Sequence, residues 1–178
     1  MSDTLTTDLI PVSEPFLQGR ETAPAYWSGG ILWLMLATFE QTNGAYSCIE
    51  ELIPEGPAAP PHIHEAADET FYLIEGEATF FVGSEKRPIK ATPGSFVAIP
   101  RGTIHSFRID SPTARLLNTY VPAGFEQQII ALSVPATERT LPPSDQALSF
   151  AIVDVERFTA LTEMVTAKYP AAKTINLF

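Results

Sequence analysis

Histidine and glutamate side chains occur at short, regular spacing in the first half of the chain. His62 and His64 are two residues apart, and Glu69 follows five residues later. Side chains two positions apart on an extended strand point to the same face, and Glu69 opens an apolar strand predicted over residues 70–74. Two imidazoles and a carboxylate that converge from neighbouring strands suit a divalent transition metal. We expect a fourth ligand from His105, the remaining histidine of the chain.

These residues fall within two motifs, each of which begins with a glycine. The first runs from Gly56 to Gly76 with the spacing G-x5-H-x-H-x4-E-x6-G, and the second runs from Gly94 to His105 with the spacing G-x5-P-x-G-x2-H. Both resemble the signature motifs of the cupin superfamily, and 17 residues separate them. The second motif departs from the family pattern at Ile109, where cupins often carry an asparagine that is not usually a ligand. The resemblance implies that the four side chains above bind one divalent ion, with nickel, manganese, cobalt, iron and copper all open.

About nine short segments with strand-like alternation are separated by turn signals along the central part of the chain. This pattern predicts an all-β, antiparallel double-sheet barrel of the jelly-roll class with short C-terminal helices, and the cupin resemblance implies the same fold. We expect an N-terminal arm over residues 1–25, the barrel over 26–122 and a helical extension over 123–178 that packs on the same domain. At 178 residues the chain has room for one substantial core.

Individual strands of this barrel can be placed from the sequence. Residues 31–37 form a continuous apolar run, which predicts a strand buried on both faces. Residues 54–61 are rich in proline and glycine and are predicted to be the loop that delivers the first two ligands. Further strands are predicted at residues 46–53, 77–82, 95–99, 105–109 and 116–121.

After residue 121 the pattern becomes helical. Phe125, Ile129 and Leu132 would share one face of a short helix. Asp154 is a suitable N-cap for a second helix, which Pro170 would close. The apolar stripe of that second helix consists of Val155, Phe158, Leu161 and Val165. We expect this stripe to pack against the barrel or against a subunit partner.

Composition argues against several classes of partner. The formal net charge of −10 disfavours nucleic acid and anionic membrane surfaces. The single cysteine, Cys48, cannot form an internal disulfide, which suits a reducing cytoplasm. The N-terminal residues lack the basic and apolar pattern of a secretion signal, and the apolar run over residues 29–37 is too short to span a bilayer. We therefore expect a cytoplasmic protein that binds neither nucleic acid nor membranes.

Strand alternation also predicts what surrounds the ligands. If Glu69 and His105 face inward, the same parity turns four apolar side chains inward, namely Phe71, Leu73, Phe107 and Ile109. This set predicts a substrate cavity suited to a flat, apolar aromatic ligand. Arg108 has the opposite parity and should point away from the metal. The other basic residues of the barrel fall mostly on turns, which disfavours a phosphate pocket; they are Lys86, Arg87, Lys90, Arg101 and Arg115.

Further segments extend the resemblance beyond the two motifs. The pairs Tyr26-Trp27 and Gly29-Gly30, the strand AYSCIEELIPEG and the exit VPAGFEQ are similar to those of single-domain cupins related to bacterial quercetin 2,3-dioxygenase, over residues 26–132. This resemblance implies a flavonol substrate whose ring is opened by dioxygen with loss of carbon monoxide, and Glu69 as the base that takes the flavonol proton. Two alternatives stay open: a cupin oxygenase for a different apolar or diketone substrate, and a non-catalytic metallocupin that binds a small ligand.

We also expect a homodimer. The apolar strand over residues 31–37 and the C-terminal stripe offer more apolar surface than one small barrel readily covers. Exposed sheet edges and self-complementary patches favour symmetric pairing, and the cupin resemblance implies the same, because cupins commonly dimerise through sheet edges and exchanged arms.

Overall fold

The computed structural model describes residues 14–144 and 155–176. Within these ranges the strands are β1 (Ala25–Ser28), β2 (Ile31–Ala37), β3 (Ser47–His64), β4 (Asp68–Glu75), β5 (Ala78–Val82), β6 (Arg87–Ala91), β7 (Phe96–Ile99), β8 (His105–Val121), β9 (Val134–Pro135) and β10 (Thr174–Asn176). The helices are α1 (Phe39–Thr42), α2 (Phe125–Ala131) and α3 (Val155–Lys168), followed by a 3₁₀ turn at Pro170–Ala172. The first half of the predicted N-terminal arm and the predicted cap Asp154 lie outside the described residues.

Two long strands, β3 and β8, organise the sheet. They pair antiparallel along almost their whole length, from Ser47 opposite Tyr120 to His62 opposite His105. On the other side of β8, β5 pairs with its first part and β4 with its last part. β2, β1 and β9 continue outward from β3, while β6 and β7 flank β5 and β4. These antiparallel pairings confirm the predicted jelly-roll class.

The proline-rich residues 54–61 belong to β3, so the prediction that they form a loop was wrong. The register with β8 shifts between Pro54 and Gly56 and twice more before His62. Such bulges let a strand accommodate prolines, which cannot donate a ladder hydrogen bond. Gly56 also adopts a φ of 113°, which is open chiefly to glycine. The chain therefore stays extended, and the strand itself delivers the first two histidines.

The strands predicted at residues 105–109 and 116–121 are likewise one element, β8. β3 pairs with both parts of it, with Gly56 opposite Ile109 and Ile53 opposite Ala114. Because the neighbouring strand continues past the junction, the residues between the two predicted strands remain extended as well. The two longest strands thus run side by side through the metal-binding motifs.

β2 is buried on both faces, as its apolar run predicted. Its odd-numbered residues 31, 33 and 35 pack into the main core. Leu32 and Leu34 pack on the opposite face with Ala23 and Trp27. The chain itself therefore covers this strand, which removes one of the two grounds for expecting a homodimer.

The C-terminal helices pack on each other beside the sheet. α2 begins at Phe125 directly after Gly124, and Leu132 caps its C-terminus, close to the prediction. On α3, Val165 is buried with Tyr169 and Ala172 against Phe39 and Ala131. Leu161 is half-buried, whereas the side chains of Val155 and Phe158 lie outside the described set. Among the described residues, no helix combines the length and the apolar character needed to cross a membrane.

β10 returns the C-terminal segment to the predicted metal-binding strand. It pairs antiparallel with the end of β3, so that Thr174 lies opposite His64 and Asn176 lies opposite His62. Glu65 strengthens this contact through a 2.6 Å ion pair with Lys173. The sequence pattern did not predict this strand, because three residues are too few to show a period.

Candidate metal centre

The four predicted ligands converge at one end of the barrel. His62 and His64 end β3, Glu69 lies at the start of β4, and His105 begins β8. One nitrogen or oxygen from each side chain forms a group whose atoms all lie within 4.8 Å of one another. The His64 Nε2 lies 3.2 Å from the His62 Nε2 and 3.3 Å from the Glu69 Oε2, which is also 2.7 Å from the His105 Nε2. All four side chains are buried.

A clamp between two turns fixes the spacing of these strands. The backbone N–H, Nε and Nη2 groups of Arg101 all donate hydrogen bonds to the carboxylate of Asp68, at 2.9, 3.0 and 2.9 Å. Asp68 directly precedes Glu69, and Arg101 lies in the turn that leads to His105. The next residue, Gly102, donates its N–H to the carbonyl of His64 at 2.8 Å. Residues around this clamp therefore hold three of the four ligands in register.

The second nitrogen of each imidazole is engaged away from the cluster, which orients all three rings. The Nδ1 contacts are His62 to the Pro60 carbonyl (2.8 Å), His105 to the Thr103 carbonyl (3.0 Å) and His64 to the Thr174 hydroxyl (3.1 Å). A carbonyl can only accept, so Nδ1 carries the proton in the first two rings. Because the Thr174 hydroxyl donates to the carbonyl of Ala172 at 3.2 Å, it accepts from His64. In the neutral form of each ring, which is the form that binds a metal ion, Nε2 is thereby left with a lone pair facing the cluster.

The ionisation of the cluster favours cation binding. Burial, with a further contribution from the neighbouring His105, lowers the pKa of His62 to about 4, so this ring is neutral at pH 7. For Glu69, burial alone would raise the carboxyl pKa, but the charges and hydrogen bonds of His64 and His105 outweigh burial and hold the pKa well below its usual range. Burial would lower the His105 pKa, yet the hydrogen bond and charge of Glu69 raise it. An ionised carboxylate therefore faces three imidazoles in a buried site.

This donor set fits a divalent transition-metal ion. The cluster brings three nitrogen lone pairs and an anionic oxygen within hydrogen-bond distance. These groups repel one another unless a cation or a proton lies between them. Mixed imidazole and carboxylate ligands suit iron, manganese, cobalt, nickel and copper alike. Hydrogen bonds that fix the tautomer of each imidazole are the usual outer support of a metal ligand. The residues present could therefore hold one ion.

The four predicted substrate-binding residues, Phe71, Leu73, Phe107 and Ile109, are all buried in the main core. They face the same side of their strands as the ligands, as predicted. The rings of Phe71, Phe80 and Phe107 pack together with centroids 4.9 to 5.3 Å apart. The aromatic rings in contact with His64 are instead Tyr120 and Phe125, at 5.2 and 4.5 Å.

Three polar residues that the sequence reasoning missed surround the cluster. Asn118 donates to Glu69 and to Glu51, each at 2.9 Å, and Thr174 orients His64. Strand parity could have identified Asn118, because it is paired with inward-facing Phe71. Glu51 would have followed as an inward acidic residue on β3. Thr174 lies on β10, for which the sequence carries no periodic signal.

Two arginines of the barrel form ion pairs that lie outside the site. Arg108 is exposed and forms a 2.6 Å ion pair with Asp110, so it points away from the metal centre as predicted. Arg115 contacts Glu75 at 2.8 Å and Glu50 at 3.8 Å. Among the described residues, no lysine or arginine forms an ion pair with the four-residue cluster, in which Glu69 pairs with His64 and His105.

Comparisons with known proteins agree with this geometry. Residues 48–120 match the family of the Cupin domain. A quercetin 2,3-dioxygenase of Bacillus subtilis (strain 168) is 29% identical over 144 residues, which are 81% of this chain and 42% of that protein. A quercetin 2,3-dioxygenase of Aspergillus japonicus is 31% identical over 86 residues, which are 47% of this chain and 25% of that protein. The chain thus spans less than half the length of either relative.

A solved structure shows the same fold at much lower sequence identity. Pac13, described as a nucleoside dehydratase, superimposes with a TM-score of 0.53 at 13% identity, covering 71% of this chain and 96% of that chain. At this identity the likeness concerns the fold alone. In its fold, its motifs and its sequence similarities, the chain resembles the cupins and, among them, quercetin 2,3-dioxygenases.

Proposed function

We propose that this protein is a metal-dependent dioxygenase of the quercetinase type, which opens the ring of a flavonol or a similar apolar aromatic substrate. The observation that carries the proposal is the buried cluster of three oriented imidazoles and one carboxylate. The similarity to two quercetin 2,3-dioxygenases supports the reaction class. His62, His64, Glu69 and His105 are the residues that would hold the ion.

A bound divalent ion supplies Lewis acidity, which lowers the pKa of a hydroxyl group that coordinates to it. Glu69 is the chain's candidate for accepting the proton of that hydroxyl. Its Oε2 faces the histidines, and its low pKa alone would make it a weak base. When the hydroxyl becomes more acidic, the difference between its pKa and that of the Glu69 carboxyl becomes smaller. Proton transfer between the two neighbouring oxygens then becomes feasible. Glu69 would then hold the proton while the ring is opened.

Apolar surroundings favour a flat aromatic substrate. Tyr120 and Phe125 cover His64, and the proposed substrate-binding set is Phe71, Leu73, Phe107 and Ile109. Burial raises the pKa of the Tyr120 phenol well above its usual value, and the Glu69 charge adds to the effect. This phenol therefore remains a neutral hydrogen-bond donor at physiological pH. In the proposed reaction one dioxygen is consumed for each carbon monoxide released, and both oxygen atoms enter the ring-opened product.

The test is oxygen uptake with a panel of flavonols, on protein reconstituted separately with manganese, iron, cobalt, nickel and copper. We expect uptake and carbon monoxide release in equal amounts with at least one metal. Glu69→Gln should retain metal and the spectral shift of the bound flavonol but lose most turnover. Glu77→Gln is the matched control, because Glu77 is exposed in the turn before β5.

Other outcomes separate the alternatives. A flavonol that binds without oxygen uptake under every metal would indicate a ligand-binding metallocupin. Uptake with diketones alone would indicate a cupin oxygenase for another substrate. If Glu69→Gln consumed oxygen at the wild-type rate, Glu69 would not be the base.

The proposal includes a homodimer. Tyr72 and Phe96 are exposed and lie opposite each other on β4 and β7, where apolar side chains on an outer strand could pair with a second copy. Light scattering at micromolar concentration should give about twice the 19.4 kDa of one chain. A mass of one chain would contradict the dimer and leave the metal site untouched.

A further inference from the structure

Two buried carboxylates share one amide group beside the metal centre. The Nδ2 of Asn118 lies 2.9 Å from the Oε1 of Glu69 and 2.9 Å from the Oε1 of Glu51. It also lies 3.0 Å from the phenol oxygen of Tyr120. Glu51, Glu69 and Asn118 are each at most 2% exposed. The three side chains therefore form a chain of polar groups that runs from the metal centre into the barrel.

The contacts determine which end of the amide faces the carboxylates. An amide nitrogen carries two hydrogens and can serve both carboxylates, whereas the amide oxygen would be repelled by them. The Oδ1 of Asn118 points elsewhere and has no hydrogen-bond partner among the described side-chain contacts. Asn118 thus acts as a donor to both carboxylates.

This arrangement gives the two oxygens of Glu69 different partners. Oε2 faces the Nε2 atoms of His64 and His105, at 3.3 and 2.7 Å. Oε1 accepts the hydrogen bond of Asn118 on the other side. Only one carboxylate oxygen is therefore presented to the centre of the cluster, and rotation toward a two-oxygen mode would break the bond to Asn118.

The surroundings of Glu51 indicate that its carboxyl is neutral. Its neighbour Glu50, on the opposite face of β3, forms a 2.8 Å ion pair with Arg20. The groups that face Glu51 are instead the amide of Asn118, the carboxylate of Glu69 and the neutral phenol of Tyr120. Two like charges bridged by one buried amide cannot both be stable, so one carboxyl keeps its proton. Glu69 has the histidines as partners, which leaves the proton on Glu51. Burial raises the pKa of Glu51 to about 8, which also favours the protonated carboxyl.

We propose that Asn118 and Glu51 are positioning residues that hold Glu69 in a one-oxygen binding mode toward the metal ion. The proposal rests on the metal site of the proposed function but not on the flavonol reaction. Asn118 supplies the orienting hydrogen bond. Glu51 holds the amide in the orientation that supplies it, without placing a second negative charge next to Glu69.

The test uses the full-length protein loaded with Co²⁺, whose visible absorption reports the number and arrangement of its ligands. Asn118→Leu removes the donor at similar volume, and it should weaken Co²⁺ binding about 10- to 100-fold and change the absorption spectrum. Glu51→Leu removes the acceptor that holds the amide, so it should also weaken Co²⁺ binding, whereas Glu51→Gln keeps an uncharged acceptor and should retain the wild-type affinity and spectrum. Glu50→Gln is the matched control, because it removes a carboxylate one residue away on the other face.

A second measurement does not depend on the folding of the Asn118 variant. The infrared spectrum of the metal-free protein at neutral pH should contain the C=O band of a protonated carboxyl. This band should be absent in Glu51→Gln and present in Glu50→Gln. Absence of the band from the wild type would overturn the neutral state of Glu51.

The outcomes separate this proposal from the flavonol reaction. A wild-type Co²⁺ affinity and spectrum in folded Asn118→Leu would overturn the positioning role, even if the wild type turns over flavonols. An altered Co²⁺ spectrum in Asn118→Leu, together with no flavonol turnover by the wild type, would support the positioning role and contradict the proposed reaction.

Discussion

The interior of the barrel has two ends that are built from the same strands. On β4 the inward-facing positions carry Glu69 and then Phe71, and on β8 they carry His105 and then Phe107. At the metal end, each polar side chain has a specific hydrogen-bond partner. At the aromatic end, rings of Phe71, Phe80 and Phe107 pack by contact alone. Strand alternation turns the polar side chains and the phenylalanine rings inward alike. Residue type then decides that the polar set could bind a metal ion and that the aromatic set packs as core.

This difference predicts that mutations can remove metal binding at one end and weaken core packing at the other end independently. Loss of a ligand should remove metal while the apolar core keeps the fold. Loss of a core ring should lower stability while the ligands remain in place. The variants below test this separation, beginning with the largest expected effect.

His105→Gln should abolish stable metal binding. The ring contributes one of four donors, and the amide oxygen or nitrogen of glutamine is a poorer ligand than an imidazole nitrogen. Elemental analysis after reconstitution should give about one equivalent in the wild type and less than about a tenth in the variant. Circular dichroism should show the same fold for both proteins. A variant with full metal content would exclude His105 from the ligand set.

Phe80→Ala should have the opposite effect. Phe80 is 1% exposed and stacks on Phe107, and truncation of a buried phenylalanine costs about 3–5 kcal/mol of the free energy of unfolding. Urea denaturation measures this loss, and metal content per folded chain should stay unchanged. Equal metal loss in Phe80→Ala and His105→Gln would mean that the two ends are one cooperative unit.

The sequence predicted the inner face of the barrel well because strand parity and residue type are local properties. Parity alone placed Glu69, Phe71 and Leu73 on one side and Arg108 on the other, and the structure confirms each orientation. The proline-rich segment was mispredicted as a loop because composition cannot reveal that a neighbouring strand, with bulges, keeps it extended.

The sequence could not show the long-range hydrogen-bond pairs, for a different reason. Asn118 lies 49 residues from Glu69, and Thr174 lies 110 residues from His64. Only the fold brings these pairs together, since neither spacing follows a local period. The candidate ligands could therefore be named from their motifs, and parity marks Asn118 as inward-facing, but only the fold shows which ligand each of these groups orients.

Thr174→Val should weaken metal binding without removing it. Valine keeps the β-branched shape that suits β10 but cannot accept the hydrogen bond from His64. Loss of an outer partner of a metal ligand typically lowers affinity about 10- to 100-fold, and we expect the lower end because only one ring is released. Competition with a chelator measures the affinity. Ile175→Thr is the control, because Ile175 is 39% exposed on the other face of the same short strand.

An unchanged affinity in Thr174→Val would mean that His64 keeps its orientation from the surrounding rings of Tyr120 and Phe125 alone. A loss in the control as large as in Thr174→Val would instead indicate that docking of β10, rather than the hydroxyl, orients the ring. Both results would narrow what holds the metal end together.

The smallest expected effect is a pH dependence that belongs to the metal end alone. Burial raises the pKa of Glu51 to about 8 in the folded protein, against about 4.3 for an unfolded glutamate. Between these values the folded state binds the extra proton, so this group's contribution to stability is full at low pH and is lost as the pH rises toward 8. From pH 6.5 to 8 the loss should be roughly 1–2 kcal/mol in metal-free protein. His105, whose pKa is also raised, contributes in the same direction, whereas Glu69 stays ionised throughout this window.

Urea denaturation at several pH values should therefore show a shallower decline in the free energy of unfolding for Glu51→Gln than for the wild type. Glu50→Gln and Phe80→Ala should keep the wild-type slope, because neither touches the polar chain. Equal slopes in Glu51→Gln and the wild type would mean that Glu51 is already ionised at pH 6.5, and that the two ends of the barrel do not differ in this respect.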